Sequence, residues 1–292
     1  MQTKIRIALF LVFLLYSMGS LAFAAPAGAT ISCQSNSGVT SPCSQLGPEW
    51  DNLLPENSVL LQEMTCDITG DGIADTLFLT GSKETISANY FRHLALAFID
   101  GATGQKDVQS LSMAGYSPQL KPIFLLNKDL PAFFVSAPTG GSGGIVDNRI
   151  VSFAGGEPRI LFNEKNNKGV SIEGAFLPDY QVRVAFPELG QSITFDRVHA
   201  KADYQRLGLY TEDGIPTGKK GGTPWIDPFA VLAIVDSNQD GLDELRGIQQ
   251  ISGAYHADRL GTVTSTWFYE NGQWKISDIL VSVKLVKVTK AD

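Results

Sequence analysis

Two nine-residue stretches constrain what this chain can fold into: Asp67-Ile-Thr-Gly-Asp-Gly-Ile-Ala-Asp75 and its echo Asp236-Ser-Asn-Gln-Asp-Gly-Leu-Asp-Glu244. Both carry oxygen-bearing side chains at relative positions 1, 3, 5 and 9 and glycine at position 6. In the first these are Asp67, Thr69, Asp71 and Asp75; in the second, Asp236, Asn238, Asp240 and Glu244. Hard cations such as Ca²⁺ collect oxygen ligands, and carboxylates closely spaced on a tight turn supply several at once. Position 7, Ile73 and Leu242, joins the set through its backbone carbonyl, as in other calcium loops. Glycine at 72 and 241 suits a sharp turn, because it reaches positive φ without a steric penalty. Without a cation, the crowded acids would repel one another. The competing reading is an Asx-rich turn that binds no metal.

An EF-hand is excluded. That loop needs a bidentate Glu at position 12 followed by a helix, whereas position 12 is Phe78 in one copy and Gly247 in the other. The residues after the first loop, Thr76-Leu-Phe-Leu-Thr80, form a short apolar run that reads as a strand. The sequence therefore predicts a Ca²⁺ loop between two strands, twice.

The N-terminus reads as an export signal, residues 1–24. Lys4 and Arg6 precede an apolar run from Ile7 to Tyr16, and Ala22-Phe23-Ala24 is a small-x-small cleavage site. The apolar run is short for a membrane span, and no later stretch qualifies. Loss of Lys4 and Arg6 takes the formal charge from −7 to −9, because the leader carries no acid. Such an acidic chain lacks the basic footprint that nucleic-acid binding needs. Three cysteines remain, at 33, 43 and 66. In an oxidising compartment Cys33 and Cys43 could close a small loop and leave Cys66 over, although pairing is not readable from spacing. No Cys/His pattern suits zinc.

Residues 25–55 read as a linker or N-terminal extension, with a short helical turn at Trp50–Leu54, and 56–288 as the folded domain. Strand signals recur along that domain, broken by Gly, Asn and Asp turns. They include Val59–Cys66, Thr76–Gly81, His93–Ile99, Ile123–Leu126 and Pro131–Ser136, then Arg149–Phe153, Arg159–Phe162, Val170–Phe176, Tyr180–Phe186 and Ser192–Phe195. A short helix fits Ala202–Thr211. The last portion, from Phe229 through the second loop and an Asn271-Gly272 turn to Val286, reads as a four-strand antiparallel meander. A meander of that kind is one propeller blade. The 169 residues from Asp67 to Asp236 divide into three intervals of about 56, close to propeller arithmetic. Loops are then expected near Asn127–Asp129 and Pro178–Tyr180. The predicted fold class is all-β, a β-propeller-like array of four-stranded antiparallel blades.

The pattern Asp-x-(Thr/Asn)-x-Asp-Gly-x-x-(Asp/Glu) between strands resembles the calcium loop of FG-GAP/VCBS-type repeats. From Val59 to Val283 the chain also resembles exported bacterial VCBS-repeat-containing proteins. The residues that carry this are Leu79-Thr-Gly81 after the first loop, Ala114-Gly-Tyr-Ser-Pro118, Gly140-Gly-Ser-Gly-Gly144, Trp225-Ile-Asp-Pro228 and Gly253-Ala-Tyr-His-Ala-Asp258 with Leu260-Gly261. The resemblance implies propeller blades, with calcium at Asp67, Asp71, Asp75, Asp236, Asn238, Asp240 and Glu244. The chain departs from that pattern at 127–130, where acids are few.

Two further candidates point to an enzyme instead. Gly140-Gly-Ser142-Gly-Gly144 matches G-x-S-x-G, the nucleophile elbow of α/β-hydrolases, which needs a strand before it and a helix after it. The residues from Ile145 to Phe153 are β-patterned, so a glycine-rich turn is the simpler reading. His256 and Asp258 fall on one side of an extended segment and could form a site; the plainer alternative is a structural histidine. His93 and His199 have no acid cluster beside them and read as structural. Lys219-Lys220 and the Lys284–Lys290 tail read as solvated basic faces. The expected function is an exported calcium-binding module, a platform for a protein or glycan partner or an envelope component, with an exported hydrolase as the alternative.

Overall fold

A computed structural model describes residues 33–43, 50, 52–85, 87–219 and 222–283. Residues 1–24, read as an export signal, and the 284–292 tail lie outside the described residues. The described chain is all-β and antiparallel, with only two short α-helices.

Strand alternation explains the layering. The first sheet runs in chain order: β1 (Gln34–Pro42), β2 (Ser58–Cys66), β3 (Asp75–Ser82), β4 (Tyr90–Ile99) and β5 (Lys106–Ser110), with β6 (Gly115–Tyr116) pairing β4. The second sheet comprises β7 (Gln119–Asn127), β8 (Leu130–Pro138), β9 (Val146–Ser152) and β10 (Arg159–Phe162). Successive strand residues point to opposite faces. Phe133 and Val135 of β8 therefore pack with Leu77, Leu79, Leu96 and Phe98 of the first sheet. Phe134, between them, packs on the other side with Ile150, Phe229 and Leu245. Because β8 is buried on both faces, it reads in sequence as a continuous apolar run. Each fully buried side chain of this kind contributes about 1.5–3 kcal/mol.

A short helix, α1 (Glu164–Asn167), follows β10; the Asn163 side chain accepts from the Lys165 N–H and caps it. The third sheet is β11 (Glu173–Leu177), β12 (Gln181–Phe186) and β13 (Gln191–Asp196), after which α2 (Lys201–Arg206) crosses to the last sheet. That sheet comprises β14 (Trp225–Ile226), β15 (Val231–Val235), β16 (Glu244–Ser252), β17 (Arg259–Glu270) and β18 (Gln273–Ser282). A third core joins β12, α2 and β16–β17, where Tyr204 and Tyr210 stack with ring centroids 5.7 Å apart.

Sheets of six, four, three and five strands take the place of uniform four-stranded blades, and no closed propeller ring is present among the described residues. Two further expectations change. Part of the stretch read as a linker is β1, which pairs antiparallel with β2. The disulfide joins Cys33 to Cys66, and Cys43 is the free, buried thiol. The β1–β2 pairing places Gln34 opposite Thr65, which brings Cys33 beside Cys66 across the ladder; this long-range register is not legible in cysteine spacing. Burial pushes the Cys43 thiol up to about 11. Where a short helical turn was expected, the Leu53 and Leu54 N–H groups donate to the Trp50 carbonyl.

Candidate functional site

Both acidic loops connect adjacent antiparallel strands, β2 to β3 and β15 to β16, and in each the position-9 acid is the first residue of the next strand. Their backbones close alike. Positions 4 and 6 take positive φ in both: +89° and +85° at Gly70 and Gly72, +60° and +82° at Gln239 and Gly241. The position-6 N–H donates to the position-1 carboxylate, Gly72 to Asp67 at 2.8 Å and Gly241 to Asp236 at 3.1 Å. The position-7 N–H donates to the position-5 carboxylate, Ile73 to Asp71 at 2.8 Å and Leu242 to Asp240 at 2.7 Å. The position-2 N–H donates to the position-9 acid, Ile68 to Asp75 at 2.9 Å and Ser237 to Glu244 at 2.8 Å. Two stretches 169 residues apart thus share one turn geometry.

The position-9 acids brace this geometry. Asp75 is buried and accepts from three backbone N–H groups, those of Ile68, Thr69 and, from the β4–β5 turn, Gly101. Glu244 is buried and accepts from both the N–H and the hydroxyl of Ser237. A cation at either loop would share these oxygens with the N–H donors. The remaining carboxylates of Asp71, Asp236 and Asp240 are exposed. Thr69, at position 3, is buried, and its Oγ1 has no hydrogen-bond partner, so this oxygen is sealed with its polar capacity unspent. In the second loop Asn238 Oδ1 accepts from the Asp240 N–H at 3.0 Å, while its Nδ2 donates to Asp240 Oδ2 at 3.0 Å. The donor set is all oxygen and suits a hard cation. Among the described residues, however, no group of three His, Cys, Asp or Glu side chains converges as a ready-made metal shell.

The two loops flank the β7–β8 turn at Asn127–Leu130. Leu130 fills the space over Gly70, and the Lys128 side chain lies over Gly241. A cavity of about 460 Å³ opens beside the second loop, bounded by Asp240, Asp243, Glu244, Tyr269 and Glu270. Burial, joined by the charges of Asp236 and Glu244, holds the Asp243 carboxyl above the usual carboxylate range.

Of the other sequence candidates, Ser142 falls in the glycine-rich turn that was the simpler reading, whereas His256 and Asp258 do not share an extended segment. Ser142 sits in the turn of the β8–β9 hairpin, where Pro138 pairs with Val146, and no helix follows it. The strand–turn–helix frame of a nucleophile elbow is absent. Residues 253–258 form the turn between β16 and β17, not an extended segment, so His256 and Asp258 do not pair. Asp258 is buried and receives an ion pair from Arg197, the Tyr204 hydroxyl at 2.6 Å and the Ala254 N–H at 2.8 Å. Burial works against the Arg197 charge, but Asp258 and Tyr204 outweigh it and raise the guanidinium further. Burial, reinforced by Asp258, pushes the Tyr204 phenol well up. His256 instead meets Asp227: Nε2 is 3.3 Å from Asp227 Oδ1, which also accepts from Trp225 Nε1 at 3.1 Å. Asp227 is buried and its Oδ2 has no partner. Asp227 lies in the Trp225–Pro228 stretch singled out in the sequence, but its partnership with His256 and that of Arg197 with Asp258 are long-range and have no local signal. The Gly140–Gly144 turn approaches this cluster, since a side chain at Gly143 would meet His256 Nε2. His93 lies beside Ser82, with Nδ1 2.9 Å from the hydroxyl.

Comparison with known proteins corrects the family expectation. Residues 170–282 match the model of the YybI C-terminal domain. Over 209 residues the chain is 29% identical to "Uncharacterized protein YybI" of Bacillus subtilis (strain 168), a span that covers 71% of this chain and 78% of that protein. No FG-GAP or VCBS model matches, so the resemblance drawn from the loop pattern does not identify the family. A nine-residue turn recurs wherever a cation or an Asx turn is useful, and it carries less information than the matched span. No solved structure matches the chain.

Proposed function

We propose that this protein is an exported, calcium-binding β-sheet module that presents a binding surface, with the two acidic loops as its cation sites. The observation that supports the reading is the shared closure of the loops, in which the acids at positions 1, 5 and 9 accept from the same backbone N–H positions in both copies. The Cys33–Cys66 disulfide supports an oxidising, extracytoplasmic setting. Each sheet is built largely from strands consecutive in sequence, which favours a propeller-like series of blades.

In this reading Asp67, Thr69, Asp71 and the Ile73 carbonyl, and their counterparts Asp236, Asn238, Asp240 and the Leu242 carbonyl, offer oxygens to the ion. Asp75 and Glu244 fix the turn and share in the site. An ion that binds the folded loop and not the unfolded chain stabilises by mass action, so its first role is to pin the loops. The partner would be a protein or a glycan; among the described residues no helix is long and apolar enough to cross a membrane. Calorimetric titration with Ca²⁺ tests the proposal. Up to two sites are expected, one lost in Asp71→Ala and the other in Asp240→Ala. Absence of binding in the parent protein would overturn it.

A further inference from the structure

A second candidate site lies away from the acidic loops, where the segment after α1 meets the approach to β15. A cavity of about 390 Å³ opens there, lined by Lys168, Ser171, Ile172, Pro224, Trp225 and Pro228 among others. It adjoins a cavity of about 360 Å³ that shares the Lys168 and Pro228 wall. Both volumes lie within the range of small-ligand sites.

The walls are fixed by a buried polar clamp. Gln249 is fully buried on β16; its Nε2 donates to the Lys168 carbonyl at 2.8 Å, the Asp227 carbonyl at 2.9 Å and the Val170 carbonyl at 3.3 Å. Its Oε1 accepts from the Val170 N–H at 2.7 Å. One side chain therefore ties together the two segments that face each other across the cavity. Gly169 must be glycine here: its φ is +63°, and a Cβ would run into the Gln249 amide. Trp225 is locked as well, with Nε1 donating to the buried Asp227 and the His256 ring set edge-on at a centroid distance of 5.2 Å. With its N–H spent internally, the indole has only its apolar surface to offer a ligand. Rigid walls of this kind bind without paying for ordering.

Lys168 supplies the charge of the first cavity, while Asp147, Arg149 and Glu164 line only the adjoining one. Lys168 is exposed, takes part in none of the salt bridges among the described residues, and is the only ionisable residue in the lining of the first cavity. A single ammonium in a chain of net charge −7 suits one carboxylate rather than a polyphosphate or nucleic acid, which call for clusters of cations. The indole and two prolines suit the flat C–H face of a pyranose ring, and Ser171 lines the same cavity. We propose that this cavity binds a carboxylated sugar, a uronic acid residue of an acidic glycan, with Trp225 as the platform and Lys168 as the counter-charge. The inference rests on the binding-surface half of the proposed function and is independent of its calcium half.

Tryptophan fluorescence and calorimetry with tri-galacturonate, and with maltotriose as the uncharged probe, test it on the purified full-length protein in Ca²⁺ and in chelator. The charged trisaccharide should bind more tightly than the neutral one. Lys168→Gln, an exposed change that leaves the fold alone, should weaken tri-galacturonate about five-fold, the upper end for a solvent-reached ion pair, and leave maltotriose unchanged. Trp225→Ala should weaken both about ten-fold, as loss of an aromatic contact implies. No binding of tri-galacturonate, or equal binding to parent and Lys168→Gln, would overturn the proposal. If Ca²⁺ binds while tri-galacturonate does not, the carboxylated-sugar site fails and the calcium reading stands.

Discussion

Replacement of Asp258 by alanine would separate a structural role from a functional one at the β16–β17 turn. The carboxylate is buried against Arg197, Tyr204 and the Ala254 N–H. Its removal leaves a guanidinium that is largely out of water, whose Nε already lacks a partner, together with a buried phenol. Breaking a buried ion pair by deleting one partner costs about 3–5 kcal/mol, because the remaining charge is uncompensated. Against a total stability of about 5–15 kcal/mol for a domain, that is a large share. With a urea m-value of about 3 kcal/mol/M, the unfolding midpoint should fall by more than about 1 M at unchanged m. The double change Arg197→Met with Asp258→Leu should recover much of the loss, since it removes both charges. His256→Ala should cost less than about 1 kcal/mol, the scale of an ordinary hydrogen bond to a half-exposed group. A loss below about 1 kcal/mol for Asp258→Ala, or one no larger than that of His256→Ala, would refute the structural assignment.

Other outcomes follow from the same packing. Gly101→Ala should lower thermal stability markedly, because a Cβ there would collide with the Ala74 carbonyl beside the Asp75 brace; wild-type melting of this variant would contradict the packing. Reduction of Cys33–Cys66, which closes 33 residues of sequence separation, should cost about 3–4 kcal/mol by loop entropy, read as a shift in the urea midpoint with and without reductant. Cys43 should resist iodoacetamide at pH 8 until the protein unfolds, because burial raises its thiol to about 11 and the thiolate is the reactive form; rapid native-state alkylation would refute this.

The legible part of the fold was local. Alternation and turn residues placed β2, β3, β8, β10, β12 and β13 within two residues of their observed bounds and β15–β18 in their order, while β7 was read over only its second half, since period-2 patterning and Gly or Asn turns act within a few residues. The Asn271-Gly272 turn indeed joins β17 to β18, with both residues at positive φ. What failed was non-local. The polar segment of β1 carries no apolar alternation and is a strand because β2 offers it an edge. Uniform four-stranded blades do not appear because β1 and the two-residue β6 extend the first sheet, the two-residue β14 extends the last, and the third stops at three strands. At the sites, the loop pattern was readable because the bonds the two loops share close within nine residues, although Asp75 also accepts from the distant Gly101 N–H. Asp227–His256 and Arg197–Asp258 span 29 and 61 residues, and Gln249 clamps a segment 79 to 81 residues away; no local signal announces such partners.

The most direct test of the central claim is thermal unfolding of the protein in Ca²⁺ and in chelator. At 100 times the dissociation constant, one site adds about 2.7 kcal/mol, which for a domain of this size raises the midpoint by about 5–10 °C. That rise should shrink in Asp71→Ala and in Asp240→Ala, and Mg²⁺ should give less of it, because it demands tighter octahedral geometry. Identical midpoints in Ca²⁺ and chelator, with no calcium found in the protein by elemental analysis, would contradict the account and leave both loops as Asx turns held by their own backbone.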